Sequence, residues 1–231
     1  MQNKLTKGCT MYERDNSSSP PPGGPAEPLA KAPSAGGKGI TLSAHAAQVA
    51  RYLQQLLDAY RPALAPLIRE TIDEWARSLI TAALVHDIGK ANEGFQTSLS
   101  KRSPWEFRHE ALSVAYLPGA TSHDDPWFYS LASILTHHKD VDDERLLGTT
   151  GATASSSVLD IVKRNDERML AGARPYAVWI TEYLEMAGLK STDPDMDKVR
   201  QLHRTLLHEQ LPPPVPAHPR SFLLTLSLIH I

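Results

Sequence analysis

The chain has 231 residues, enough for one medium domain with or without a tail. A hydrophobic content of 41 % is ordinary for a soluble globular protein, and a formal net charge of −2 excludes a global basic footprint, so any nucleic-acid contact must be local. The single cysteine, Cys9, excludes a disulfide framework and a cysteine zinc site, while the lack of an apolar signal core or bilayer-length run points to the cytoplasm, with no membrane partner.

Residues 1–40 are expected to be disordered. The Ser17–Pro25 run and the Gly36–Gly39 cluster hold almost no branched apolar side chains to bury. Met11 is an alternative start, which would leave Cys9 untranslated. Structure is expected from about Ile40, in a domain spanning 41–231. Thr41 or Ser43 can cap a first helix through Tyr60, with Val49, Leu53, Leu56 and Leu57 on one side. His45 falls in its first turn. Pro62 and Pro66 punctuate the link to a second helix, about Ile68 to Asp87, which ends in His86–Asp87.

The apolar run Leu79–Val85 delivers this His-Asp dyad to the helix end, and Gly89 is expected to let the backbone turn away. Adjacent helical residues project about 100° apart, so a vicinal pair can grip a metal centre from two sides. Imidazole supplies a nitrogen ligand, and a carboxylate can bridge two cations. Burying such a pair is costly unless it is metallated or hydrogen-bonded. The plainer reading of a lone dyad is a helix C-terminus where a histidine meets the dipole. The other histidines decide between the two.

A polar loop is expected after Ala91–Gln96, through Lys101–Arg102 to Pro104. Trp105–Glu110 then opens a third helix that continues to Tyr116, with His109 early in it. A fourth helix, started by Asp125–Pro126, ends at His137–His138, repeating the layout of the dyad. Further helices are expected near 157–171, 176–187 and 195–210. His203 and His208 lie among Arg, Gln and Glu and are expected at the surface. Leu211–Pro219 must be extended. An apolar helix begins at Ser221 and the chain stops inside it, so the domain is expected to be incomplete at its C-terminus. Leu226–Ile231 match one reading frame of a transposon end used in preparing sequencing libraries and are expected to be foreign to the natural gene.

Without a β-period stretch the expected class is all-α. His45, His86, Asp87, His109, His137 and His138 each lie near a helix end, and together exceed what one four-coordinate metal needs. They suit a dinuclear site bridged by Asp87. The pattern resembles the HD superfamily of metal-dependent phosphohydrolases. His86-Asp-Ile-Gly-Lys90 with Phe95-Gln96, Arg108-His-Glu-Ala-Leu-Ser113, Ile134-Leu-Thr-His-His-Lys139 and Ser43-Ala-His45 are more narrowly similar to the CRISPR-associated HD nuclease, the nuclease part of the type I interference helicase–nuclease. The similarity covers about residues 41–140.

That resemblance implies an HD-domain helical bundle that hydrolyses phosphodiester bonds of single-stranded DNA in CRISPR interference, using two divalent metal ions. It assigns His45, His86 and Asp87 to one metal, and Asp87, His109, His137 and His138 to the other. Lys90 would lie beside the site as a catalytic lysine. The family's remaining ligand, an aspartate, would belong on the helix that begins at Ser221. Imidazole-rich ligation favours manganese, iron, cobalt or nickel over magnesium. Expected partners are single-stranded DNA, a helicase domain or subunit, and a CRISPR interference complex. Lys101, Arg102 and Arg108 would give a local phosphate path; Trp105 and Phe107 are either a stacking surface or core. Two other functions stay open: a phosphohydrolase of nucleotides or cyclic nucleotides, and a non-catalytic helical scaffold.

Overall fold

Thr41 starts the helical part of the chain: its hydroxyl accepts from the Ala44 N–H at 3.4 Å and caps α1, Leu42–Leu64. The computed structural model describes residues 24–33, 37–66, 72–103, 105, 107–119, 126–137 and 156–208. The remaining helices are α2 (Ile72–Val85), α3 (Glu93–Lys101), α4 (His109–Ala115), α5 (Pro126–Thr136), α6 (Ser156–Ala173), α7 (Ala177–Met186) and α8 (Met196–His208). A 3-10 turn, Ile88–Lys90, follows α2. The all-α expectation holds, and α1 runs two residues past Pro62, whose missing N–H falls in the last turn.

Two helices form the centre. In α2, Trp75, Ala76, Leu79, Ile80 and Ala82–Val85 are all buried, and in α4 every residue is buried. A helix buried on this much of its surface must be covered by neighbouring elements. Accordingly α2 lies between α1 and α5, while α4 packs on α5, α8 and the 3-10 turn. Leu112, Val114 and Leu117 have no exposed surface, and truncating such a leucine to alanine costs about 2–5 kcal/mol. Among the described residues no helix is long and apolar enough to cross a membrane.

Three differences from the sequence expectations have physical causes. First, residues 24–33 belong to the fold, although composition placed the boundary at 40. Strand β1 (Leu29–Lys31) pairs antiparallel with β2 (Ile40–Thr41), a ribbon too small to stand alone. Polar anchors hold it. The Leu29 backbone exchanges two hydrogen bonds with the Gln96 amide, and the Glu27 carboxylate accepts from the Ser43 N–H and hydroxyl and from the Tyr183 hydroxyl. The Trp179 indole donates to the Pro25 carbonyl at 3.0 Å. Residues 1–23 lie outside the described residues.

Second, α3 occupies much of the expected polar loop. Asn92 caps it by accepting from Gly94 at 2.9 Å, and Arg102 closes it in the left-handed region at φ 51°. The third expected helix correspondingly begins at His109 rather than Trp105. Third, His203 is buried rather than at the surface, because it lies on the α8 face that carries Val199 and Leu202. The side chain of His208, residues 138–155, the expected 211–219 proline run and the expected helix at Ser221 lie outside the described residues.

Candidate metal centre

Both central helices end at the same place. The 3-10 turn after α2 lies against the first turn of α4 so closely that a Cβ on Gly89 would meet the α4 backbone. The Gly89 N–H donates to the Ser113 hydroxyl at 2.9 Å, which in turn donates to the His109 carbonyl. The backbone does turn out of the helix here, but Gly89 has no positive φ, so close approach is what requires a glycine.

This packing sets four imidazoles around one buried carboxylate. Oδ2 of Asp87 lies 3.2 Å from His45 Nε2 and 3.4 Å from His86 Nε2. Oδ1 lies 3.0 Å from His109 Nε2 and 3.5 Å from His137 Nε2. Two candidate triads result, His45–His86–Asp87 and Asp87–His109–His137, which share the carboxylate and divide its oxygens. Their composition is that of the two ligand sets expected from sequence, except His138, which lies outside the described residues.

Second contacts orient the rings. His86 Nδ1 donates to the Ala83 carbonyl at 2.8 Å, and His137 Nδ1 to the Ile134 carbonyl at 2.7 Å. A carbonyl only accepts, so each Nδ1 carries the proton and each Nε2 presents a lone pair to Asp87. Burial pushes His86 down to about 4, with the His137 and His45 rings adding to the effect against the pull of Asp87. His109 is also lowered, chiefly by burial. Both are therefore neutral at pH 7, the form that ligates metal. Burial alone would raise Asp87, but in the acid range where the His86 ring is charged its field, with the contacts of His109, His137 and His45, holds the carboxyl well below the usual carboxylate range. Lys90 Nζ, 2.7 Å from Oδ2, also favours the charged carboxylate.

Imidazole lone pairs and an ionised carboxylate thus converge in a buried volume, an arrangement that costs free energy unless a cation joins them. Oδ1 of Asp87 is itself buried without a well-formed hydrogen bond among the described residues. The donor set fits a divalent metal on both counts.

The remaining expected site residues separate. Lys90 is buried at the centre, its ammonium 5.7 Å from the Phe95 ring centroid. Gln96 donates to the Lys90 carbonyl at 2.8 Å and ties that segment to β1. Lys101 and Arg102 are exposed at the end of α3. Arg108, expected on a phosphate path, turns inward: its guanidinium donates to Glu110 at 2.9 Å and to the Leu135 carbonyl at 3.3 Å. Trp105 and Phe107 are half-buried against the core, and their rings continue edge to face from Phe95.

Glu110 has no role in the sequence reading, yet it is buried with Oε2 3.4 Å from His109 Nδ1. Its position directly after a candidate ligand histidine and two residues after an arginine was the available signal. Burial would raise its carboxyl, but His109 and Arg108 outweigh that and hold it at about 2.

Comparison with known proteins decides the family. The family described as "Cas3, HD domain" matches residues 29–179, well over half of the sequence. The chain belongs to the Cas3 HD-domain family. The match starts at β1, consistent with the place of that segment in the fold. Among solved structures, the CRISPR-associated Cas3 HD domain protein of Methanocaldococcus jannaschii is similar at 16 % identity with a TM-score of 0.51, over 82 % of this chain and 94 % of that one. At that identity the likeness establishes the shared fold. No curated protein matches the sequence significantly. Membership in the Cas3 HD-domain family makes this a CRISPR-associated HD domain of the metal-dependent hydrolase kind, with His/Asp clusters able to hold metal.

Proposed function

We propose that this domain is a metal-dependent nuclease that hydrolyses phosphodiester bonds of single-stranded DNA in CRISPR interference, with two divalent cations sharing Asp87. The observation that carries the proposal is the division of the Asp87 carboxylate. One oxygen faces His45 and His86, and the other faces His109 and His137. His45, His86 and Asp87 would hold one ion. Asp87, His109 and His137 would hold the other, with His138 completing it by family resemblance.

Such a pair supplies Lewis-acid activation of water and charge neutralisation at the phosphodiester, which removes the need for a side-chain nucleophile. The imidazole-rich donor set favours manganese, iron, cobalt or nickel over magnesium. Lys90 would exchange its contact with Asp87 for a non-bridging phosphate oxygen and hold the scissile group by charge. Exposed Lys101 and Arg102 would track the backbone of the incoming strand, and the half-buried Trp105 edge would offer a base a stacking surface. Arg108 is left out of this path because its donors face Glu110 and Leu135. A helicase domain or subunit would deliver the strand, in a cytoplasmic interference complex.

The test is cleavage of circular single-stranded DNA with manganese, beside bis-p-nitrophenyl phosphate and nucleotides. Cutting of the circle that disappears in Asp87→Ala is the expected result. Turnover of nucleotides alone would replace the nuclease by a small-molecule phosphohydrolase. Metal binding without turnover of any substrate would favour a scaffold subunit.

A further inference from the structure

The two candidate triads are supported differently. His45 and His86 come from α1 and the end of α2. His109 and His137 come from the start of α4 and the end of α5, and Arg108, ion-paired with Glu110 at the start of α4, links these two helix ends through a hydrogen bond to the Leu135 carbonyl. Arg108 precedes α4 and donates to Glu110 Oε1 at 2.9 Å, while the same nitrogen reaches the Leu135 carbonyl at 3.3 Å. Leu135 lies two residues before His137, and the neighbouring Ile134 carbonyl accepts from His137 Nδ1 at 2.7 Å. The other carboxylate oxygen of Glu110 lies 3.4 Å from His109 Nδ1. Arg108 and Glu110 have side-chain exposures of only 13 % and 5 %.

An isolated pair of this kind contributes little to stability once desolvation is counted, so its place next to two ligands calls for another role. We infer that Arg108 and Glu110 are positioning residues for the second metal site alone: Glu110 fixes the His109 tautomer and ring, and Arg108 locks α4 to the α5 carbonyl end that carries His137. The inference rests on the dinuclear reading above. A carboxylate at Nδ1 keeps the proton there, so that the Nε2 lone pair is the ligating one and its basicity is raised. Among the described residues no carboxylate takes the Nδ1 proton of His86, which goes to the Ala83 carbonyl within its own helix end.

The experiment is calorimetric titration of manganese into metal-free protein, with the thermal melt of each variant recorded alongside. Wild type takes two ions per chain. Glu110→Gln keeps the shape of the side chain and one acceptor, so it weakens one ion about 10- to 100-fold and leaves the other unchanged. The double variant R108M/E110L removes both charges together and loses that same ion while the first binds as before. Retention of the first ion also reports that each variant folds. Two ions at wild-type affinity in both variants would overturn the inference and leave the proposed function standing. Equal weakening of both ions would also overturn it, because the pair would then serve no particular site. A wild type that takes fewer than two ions defeats the dinuclear reading, and the inference with it.

Discussion

A Cβ on Gly89 would collide with the carbonyl oxygen of His109. Backbone oxygen cannot yield as a flexible side chain would, so the turn after the dyad and the helix that bears His109 are in contact through a residue with no side chain. Gly89→Ala should therefore push α4 away from the carboxylate it faces. Overpacking of this kind costs about 1–3 kcal/mol, and each kcal/mol lowers the melting temperature of a domain this size by about 2–4 °C. The second metal should weaken with it. A thermal melt and a metal titration check both, and a variant with the wild-type melt would contradict the steric account.

The asymmetry between what was legible in the sequence and what was not follows from the kind of force involved. The α2 run announces a buried helix because apolar burial has a period, and the five histidines stand out because few other residue types do their chemistry. By contrast, β1 is three residues held by main-chain bonds to Gln96 and by contacts around Glu27, which leave no hydrophobic pattern. Helix α3 buries only Ser98 and has no apolar stripe; its signal was the Asn92 cap alone. His203 was masked by Arg200 and Gln201, although Val199 and Leu202 define the face that it shares. Arg108 looked like a phosphate ligand because a sequence shows its charge and not its direction.

Asp87→Ala should remove both ions, since each triad loses its shared oxygen donor. His203→Ala serves as the contrast. Its ring is buried on α8 and belongs to neither candidate triad, so the variant should lose stability while metal content stays at the wild-type value. Elemental analysis of dialysed protein separates the cases. Two ions per chain in Asp87→Ala would end the bridging role, and metal loss in His203→Ala would mean that the centre extends to α8.

Acid should unfold the metal-free protein in two stages. His86 titrates at about 4 in the fold against 6.5 in the unfolded chain, so between these values the unfolded state binds more protons. Stability then falls as the pH drops from about 6.5 to about 4, by on the order of 3 kcal/mol from this residue. His109, lowered in the same direction, adds to the loss. Glu110, a carboxylate held at about 2, acts in the same direction at lower pH: its stabilising charge is fully present above 4.5 and is lost as the pH falls through its folded value. Melts of chelator-treated protein across pH 3–7 should show both stages, and His86→Gln should flatten the first. A melt independent of pH between 4 and 6.5 would mean that the centre admits water.

Glu27 offers the clearest test of the segment before α1. Its carboxylate accepts from Ser43 twice and from the Tyr183 hydroxyl, and so ties that segment to α1 and α7. Hydrogen bonds to a charged acceptor contribute about 1.5–3 kcal/mol each when buried and less at a partly exposed site such as this one. Glu27→Ala should therefore lower the melting temperature by several degrees without changing metal stoichiometry, because no ligand lies on β1. Glu27→Gln keeps one acceptor and should fall between the two. If Glu27→Ala melts like wild type, the strand is an ornament on the domain; if it also loses metal, β1 supports the centre through Gln96 and the Lys90 carbonyl.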